Sequence, residues 1–348
     1  MTDATRGGLQ GVRPGREAVS AVPTDGHRTA GPGEERAGGE QPVVDRAQFR
    51  SYYGVPVINK PVWKAPDIPG YLFLGGLAGA SSVVAAAAQL SGRPALARVS
   101  KVTSTVAVGL SGAALVHDLG RPGRFLNMLR VLKPSSPMSV GSWLLAVYAP
   151  ASATASYSAV TGRFRFLGAV GTAGAAALGP GVATYTAALI SNTAVPAWHE
   201  GYPQMPFLFA ASATSSAAGL GMALAPLRET TPTRRLGMAA ALAEMGLMQI
   251  MKQSMGEVGE AFSESEKGHR YERTATAVTA AGIAVAALAG RRSRLASALA
   301  GVAILAGSAF TRFAVFEAGL TSAENPRYTI VPQRRRMLKR DGPSSSSC

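Results

Sequence analysis

Apolar residues are not spread evenly along this chain; they gather in eight runs separated by short polar stretches. The runs are Pro69–Leu90, Val99–Val116, Val140–Val160, Phe166–Ile190, Pro206–Leu227, Leu236–Met251, Thr274–Gly290 and Leu295–Phe316. They are apolar or small all round and lack the polar stripe of a helix lying on a soluble core. Several reach, or fall slightly short of, the roughly 17–25 residues that a helix needs to cross a bilayer. The pattern predicts an all-α integral membrane helical bundle with about eight transmembrane helices. The sixth run is the weakest, because Glu244 interrupts it.

The polar stretches divide the chain further. Residues 1–50 are rich in Gly, Arg, Glu and Pro without apolar periodicity, which predicts a disordered N-terminal tail. No charged, then apolar, then small pattern marks a secretory signal there. Phe49 to Pro69, with Tyr52, Tyr53 and Trp63 among prolines, reads as a non-helical lead-in at the membrane surface, where Trp and Tyr are favoured. The membrane domain then covers residues 51–330, and a polar C-terminal tail occupies 331–348. Between the second and third runs, Gly120 and Pro122 stop a helix. Phe125, Leu126, Met128, Leu129 and Leu132 next form an apolar stripe opposite Arg121, Arg124, Arg130 and Lys133, as in a helix lying in a membrane interface.

Composition supports the membrane reading. Charged residues are 16% of the chain, against roughly 25% in soluble domains. The apolar content is mainly Ala, Val, Leu and Gly, which suits close helix–helix approach in lipid. The net charge of +15 sits in short clusters between apolar runs. That placement marks membrane loops rather than a nucleic-acid surface, so nucleic acid is not an expected partner and membrane lipid is. The expected location is the cell membrane, as a multi-pass protein. Short basic loops and Arg334-Arg335-Arg336 point to opposite orientations, which leaves the side of the termini open.

Candidate chemistry is sparse. Glu244 falls in mid-run, where an ionised carboxylate costs about 2.5–3.5 kcal/mol, so it needs a partner, a water-filled cavity or a proton. Two roles stand side by side for it: a proton relay or quinone pocket, and a packing hydrogen bond. Lys101 and Arg312, near run ends, are expected to snorkel toward the interface. Gly179-Pro180-Gly181 is expected to break the fourth run just before Tyr185, which is either an interfacial anchor or a ligand contact. The four histidines, His27, His117, His199 and His269, lie in a tail, at run ends and in a loop. That placement gives no pair for haem inside the bundle. One cysteine, Cys348, excludes an iron–sulfur cluster held by this chain's own cysteines. No Walker A pattern is present. The expectation is a chain with no haem, cluster or metal of its own.

The run Asp118-Leu119-Gly120-Arg121-Pro122, then Phe125-Leu126-Asn127-Met128 and Ser136-Pro137-Met138-Ser139, resembles the NrfD/PsrC (polysulfide reductase NrfD) family. Tyr71-Leu72-Phe73-Leu74-Gly75-Gly76-Leu77-Ala78-Gly79, Ala194-Val195-Pro196-Ala197-Trp198-His199, and the stretches from Thr311 to Gly319 and Pro326 to Thr329 are similar too. The resemblance covers about residues 50–335. It implies a membrane subunit of a multi-subunit oxidoreductase that exchanges electrons between menaquinone or another quinone and a four-cluster ferredoxin-like iron–sulfur subunit. A molybdopterin catalytic subunit lies beyond that partner. The resemblance makes Tyr185 the hydrogen-bond partner of a quinone carbonyl. Lys64, Asp67 and Arg121 are further candidate quinone contacts, and His117 and Asp118, with Glu244, are candidate proton carriers. The arginines Arg121, Arg124 and Arg130 suit either lipid phosphates or an acidic partner surface. A transporter and a passive anchor without a quinone site are the competing readings.

Overall fold

In the computed structural model, residues 56–119 and 123–340 are described. Eight long helices match the eight apolar runs in order: α1 (Asp67–Leu90), α2 (Pro94–Asp118), α3 (Pro137–Thr161), α4 (Arg165–Ser191), α5 (Met205–Leu224), α6 (Thr231–Ser254), α7 (Glu266–Leu288) and α8 (Arg294–Glu324). No strand occurs among the described residues. Five of the eight, α1, α2, α4, α5 and α8, are long and apolar enough to cross a membrane. The others carry more polar residues. The helix α7 opens with Glu266, Lys267, His269, Arg270, Glu272 and Arg273, and α6 carries Arg234, Arg235, Glu244 and Lys252.

Local signals set the helix ends. Proline occupies the first turn of α2, α3, α5 and α6, where its missing N–H costs nothing. Ser136 caps α3 and Ser265 caps α7 through their hydroxyl oxygens. Gly162 ends α3 with φ +72°, a conformation that glycine adopts without a Cβ clash. At α2 the cap comes from a distance, because the Leu96 N–H donates to Glu229 Oε2 at 2.9 Å.

The chain divides into two units. The larger, Pro61–Ser322, is the bundle. Within it α1 packs against α2, α4 and α5, so this helix occupies the interior. Large apolar side chains such as Val106, Leu110, Phe166, Phe207, Leu242, Leu288 and Leu299 point outward. Small and hydroxyl residues fill the inside, including Ser82, Ser104, Ser111, Ser152 and Ser215. This arrangement would leave a soluble protein with large greasy patches and is suited to lipid. Interhelical hydrogen bonds hold the interior together. Ser104 Oγ lies 2.7 Å from Tyr148 Oη and 2.8 Å from Ser152 Oγ, and Tyr148 Oη donates to the Ala78 carbonyl at 2.6 Å.

Backbones meet directly at two crossings. A Cβ at Gly79 would fall 2.4 Å from the Gly179 carbonyl oxygen, so only glycine lets α1 and α4 approach this closely. Gly219 and Gly301 do the same for α5 and α8, where a Cβ at Gly219 would meet the Gly301 carbonyl oxygen at 2.6 Å. The first and fourth helices of each half thus cross in the same way.

Three sequence expectations are corrected. The fourth run is not broken: α4 continues unbroken through Pro180, supported there by the contact of Gly179 with α1. The helix after Pro122 is Gly123–Met128 only, and the stretch to Lys133 is non-helical, so the basic amphipathic helix is shorter than its periodicity suggested. Arg312 does not snorkel; it is 1% exposed. The reason is length. The helix α8 runs on to Glu324, which puts Arg312 twelve residues, about 18 Å, from its end.

The smaller unit comprises, among the described residues, 56–60 and 323–340. It contains the basic helix α9 (Arg327–Arg340), whose start is capped by Asn325 Oδ1 accepting from the Arg327 N–H at 3.0 Å. Lys60 and Glu324 form an ion pair in the same unit.

Candidate functional site

The ends of α2 and α4, the starts of α1 and α3, and the lead-in before α1 enclose a cavity of about 90 Å³. Its walls are mainly apolar, among them Trp63, Leu72, Leu115, Met138 and Leu145, with Tyr71, Tyr185 and Asp118 supplying polar groups. Trp63 stacks on Trp198, with ring centroids 5.4 Å apart. Trp198 is fixed in turn, donating from Nε1 to the Val315 carbonyl at 2.8 Å and packing on Phe316 at 5.8 Å. This indole fits only because Gly319 has no Cβ.

Two buried phenols define the floor. Tyr71, from the second turn of α1, and Tyr185, from the last part of α4, share a hydroxyl–hydroxyl hydrogen bond. Their rings meet edge-on, with centroids 6.5 Å apart at 77°. Ser111 Oγ of α2 donates to the Tyr71 carbonyl at 3.2 Å and helps to hold that turn. Gly141 on α3 makes room for the Tyr185 ring, since a Cβ there would lie 2.4 Å from Cε2. Helix starts and ends thus place two hydroxyls against an apolar space, an arrangement that fits a ring bearing carbonyl or hydroxyl oxygens.

Charged groups collect at the rim. The Asp118 carboxylate lines the cavity and accepts a hydrogen bond from the Lys64 backbone. Asp67 Oδ2 lies 2.9 Å from His117 Nδ1, so a proton on Nδ1 is donated to the carboxylate. His117 is exposed and Asp67 is largely covered, with 78% and 20% of their side chains accessible. Two carboxylates and an imidazole therefore lie together at the edge of the cavity, in a geometry that can hand protons between Asp118 and the surface.

A family model described as Polysulphide reductase, NrfD, matches residues 56–323. The chain belongs to the NrfD family. It is accordingly a multi-pass integral membrane protein and a membrane subunit of an oxidoreductase complex. No individually curated protein matches it.

In this NrfD chain, Tyr185, Asp118, His117, Asp67 and the Lys64 backbone come together around one cavity, while Glu244 lies on α6 beside a different one. The Lys64 side chain is exposed. Arg121 lies outside the described residues. Sequence reasoning missed Tyr71, Gly141 and the Trp63–Trp198 stack as parts of the site. A usable signal existed for Tyr71, which stands four residues after Asp67 and so on the same helix face. Nothing in the local sequence marks Gly141, whose role depends on a ring from another helix. Among the described residues, no three His, Cys, Asp or Glu side chains gather as metal ligands.

Proposed function

We propose that the chain is the quinone-interacting, membrane-anchoring subunit of its complex, with about eight membrane spans in the cell membrane. Electrons pass between menaquinone or another quinone and a four-cluster ferredoxin-like iron–sulfur partner that serves a molybdopterin catalytic subunit. The observation that carries this reading is the pair of phenol hydroxyls, Tyr71 and Tyr185, set in an apolar cavity with a carboxylate at its rim. Quinones need such a site: flat apolar walls, a hydrogen bond at the ring oxygen, and a proton acceptor or donor nearby.

Size decides how the ring is held. About 90 Å³ is less than the roughly 150 Å³ cavity that accommodates benzene in a protein interior. A quinone head group therefore takes over the hydrogen bond that the two tyrosines share, as the rings move apart. Tyr185 Oη, or Tyr71 Oη, donates to the carbonyl oxygen, and Trp63, Leu115 and Met138 exclude water from the ring. Oxidising a quinol releases two protons and two electrons. Asp118 accepts the two protons in turn at the rim and the Asp67-bound imidazole of His117 carries each outward, whereas the two electrons leave for the partner's cluster.

The test uses the assembled complex and the purified chain in lipid nanodiscs. Tyr185→Phe removes one hydrogen bond, worth about 0.5–1.5 kcal/mol, so a quinone analogue should bind about 2–13-fold more weakly. Asp118→Asn should slow quinol oxidation with little effect on analogue binding. Unchanged binding in Tyr185→Phe and Tyr71→Phe, with full quinol oxidation in Asp118→Asn, would place the quinone elsewhere or nowhere on this chain.

A further inference from the structure

A second polar centre lies among α5, α6, α7 and α8. Glu244 is 3% exposed, and its Oε2 accepts hydrogen bonds from Ser215 Oγ and Ser308 Oγ, each at 2.8 Å. The other oxygen, Oε1, has no protein partner. Arg312 stands one turn after Ser308 on α8. Its guanidinium lies 3.5 Å over the Phe209 ring, and Nη2 donates to the Phe209 carbonyl at 2.9 Å. Its Nε and Nη1 have no protein partner either, although Glu244 is the anion whose field acts on it. Buried charges with free hydrogen-bonding capacity of both signs call for water between or beside them.

Space for water is present beside Glu244. Glu244 lines a cavity of about 70 Å³ together with Gln249, Glu272, Thr276, Thr279 and Thr311. At roughly 10–15 Å³ per water position this is room for a few waters. Glu272 Oε1 in turn accepts from Lys252 Nζ at 2.6 Å. Lys252 follows Glu244 by eight residues, about 12 Å along α6. Polar groups thus run from an end of α6 to the buried carboxylate. The charged groups facing Glu244 are Arg312 from α8, Glu272 from α7 and Lys252 from its own helix, while α5 presents Ser215.

The position repeats that of the first cavity. Ser308 follows the Gly219–Gly301 crossing by seven residues, as Tyr185 follows the Gly79–Gly179 crossing by six. Each half therefore sets its polar groups just beyond the crossing, aromatic hydroxyls in one and a carboxylate with a guanidinium in the other.

We propose that Glu244 is a proton-exchange site, reached by water through this cavity from the Lys252–Glu272 side. A hydrated proton transfers to Oε1, leaving water and a neutral carboxyl group. Oε2 stays held by the two serines, and Arg312 balances the charge when the proton leaves. A carboxylate serving packing alone would not leave an oxygen unpartnered beside a cavity that also carries Gln249, Glu272 and three threonines. This site is independent of the quinone reading, because no residue is shared between the two cavities.

The experiment is infrared difference spectroscopy on the full chain in nanodiscs, with pH steps and exchange from H₂O to D₂O. The expected result is a carboxylic C=O band that shifts in D₂O and is lost in Glu244→Gln. In Gln249→Leu/Thr276→Leu, which fills the cavity with apolar side chains, the band should persist but exchange roughly tenfold or more slowly, because a dry gap carries no water. Both substituted residues line the cavity at its accessible side and are exposed rather than packed in the core, so this variant tests the path even if Glu244→Gln does not fold. No carboxylic band at any pH, a band retained in Glu244→Gln, or unchanged exchange in the filled variant would overturn the proposal.

Discussion

Gly141→Ala tests the cavity by adding one carbon atom. The new Cβ would lie 2.4 Å from Tyr185 Cε2 and 2.6 Å from Cδ2. Ordinary carbon contacts are about 3.5–4.0 Å, so the ring must move by about 1 Å or more. The ring's own hydroxyl is bonded to that of Tyr71, and the ring lines the cavity. The movement therefore breaks the shared hydrogen bond, invades the cavity, or both. Overpacking of this kind costs about 1–3 kcal/mol of stability. Losing the hydrogen-bond geometry weakens quinone-analogue binding by a further factor of about 2–13. Gly109→Ala and Gly112→Ala are the controls. Neither added Cβ meets any atom within 4 Å, and alanine favours the helix by about 1 kcal/mol. Analogue titration and thermal unfolding in nanodiscs read both effects. A double-mutant cycle sharpens the test: if Gly141→Ala weakens binding through the Tyr185 hydroxyl, its binding penalty should largely vanish in the Tyr185→Phe background. Binding and Tm equal to those of the unsubstituted protein would refute the close packing of α3 on Tyr185.

Two further outcomes are expected. Gly319→Ala should destabilise the bundle by about 1–3 kcal/mol, because a Cβ at 319 would overlap the Trp198 indole; a Tm equal to that of the unsubstituted protein would count against this. Arg312→Met should lower stability by about 1.5–3 kcal/mol through loss of its charged hydrogen bond to the Phe209 carbonyl, and, because the field of Glu244 reaches the guanidinium, Glu244→Gln in the same chain should restore part of it. Strictly additive losses in denaturation would show that the two do not act on each other.

Much of the helix layout was readable from the chain because hydrophobic length is a local property, and the eight apolar runs lie within the eight long helices to within a few residues at most ends. Errors arose where a polar residue hid a helix's continuation. Glu317 and the serine and threonine after it ended the eighth run on paper, whereas α8 buries that stretch and carries on. Arg312 was misplaced for that reason. Pro180 misled in the opposite way, since its helix-breaking tendency is local and the packing that overrides it comes from α1. Glu244 was legible as a buried carboxylate needing partners, but Ser215 and Ser308 come from other helices and no sequence spacing names them. At the first cavity, Tyr185 and Asp118 rested on the family resemblance, and Tyr71 became evident only when its hydroxyl met that of Tyr185.

The central place of α1 bears on how the chain is made. Among the described helices this one leaves the ribosome first, yet it has the highest share of protein-covered residues among the five candidate spans, 72% of its apolar window. Its neighbours α4 and α5 are synthesised later, the second ending 134 residues after Leu90. At about 5–20 residues per second that is a wait of about 7–27 s. During this interval Gly76, Gly79 and Ser82 face lipid or the insertion machinery without their partners on the later helices. The nascent α1–α2 hairpin is thus the stage at which an insertion chaperone has most to shield, and arrested chains ending before α4 should be the ones it retains.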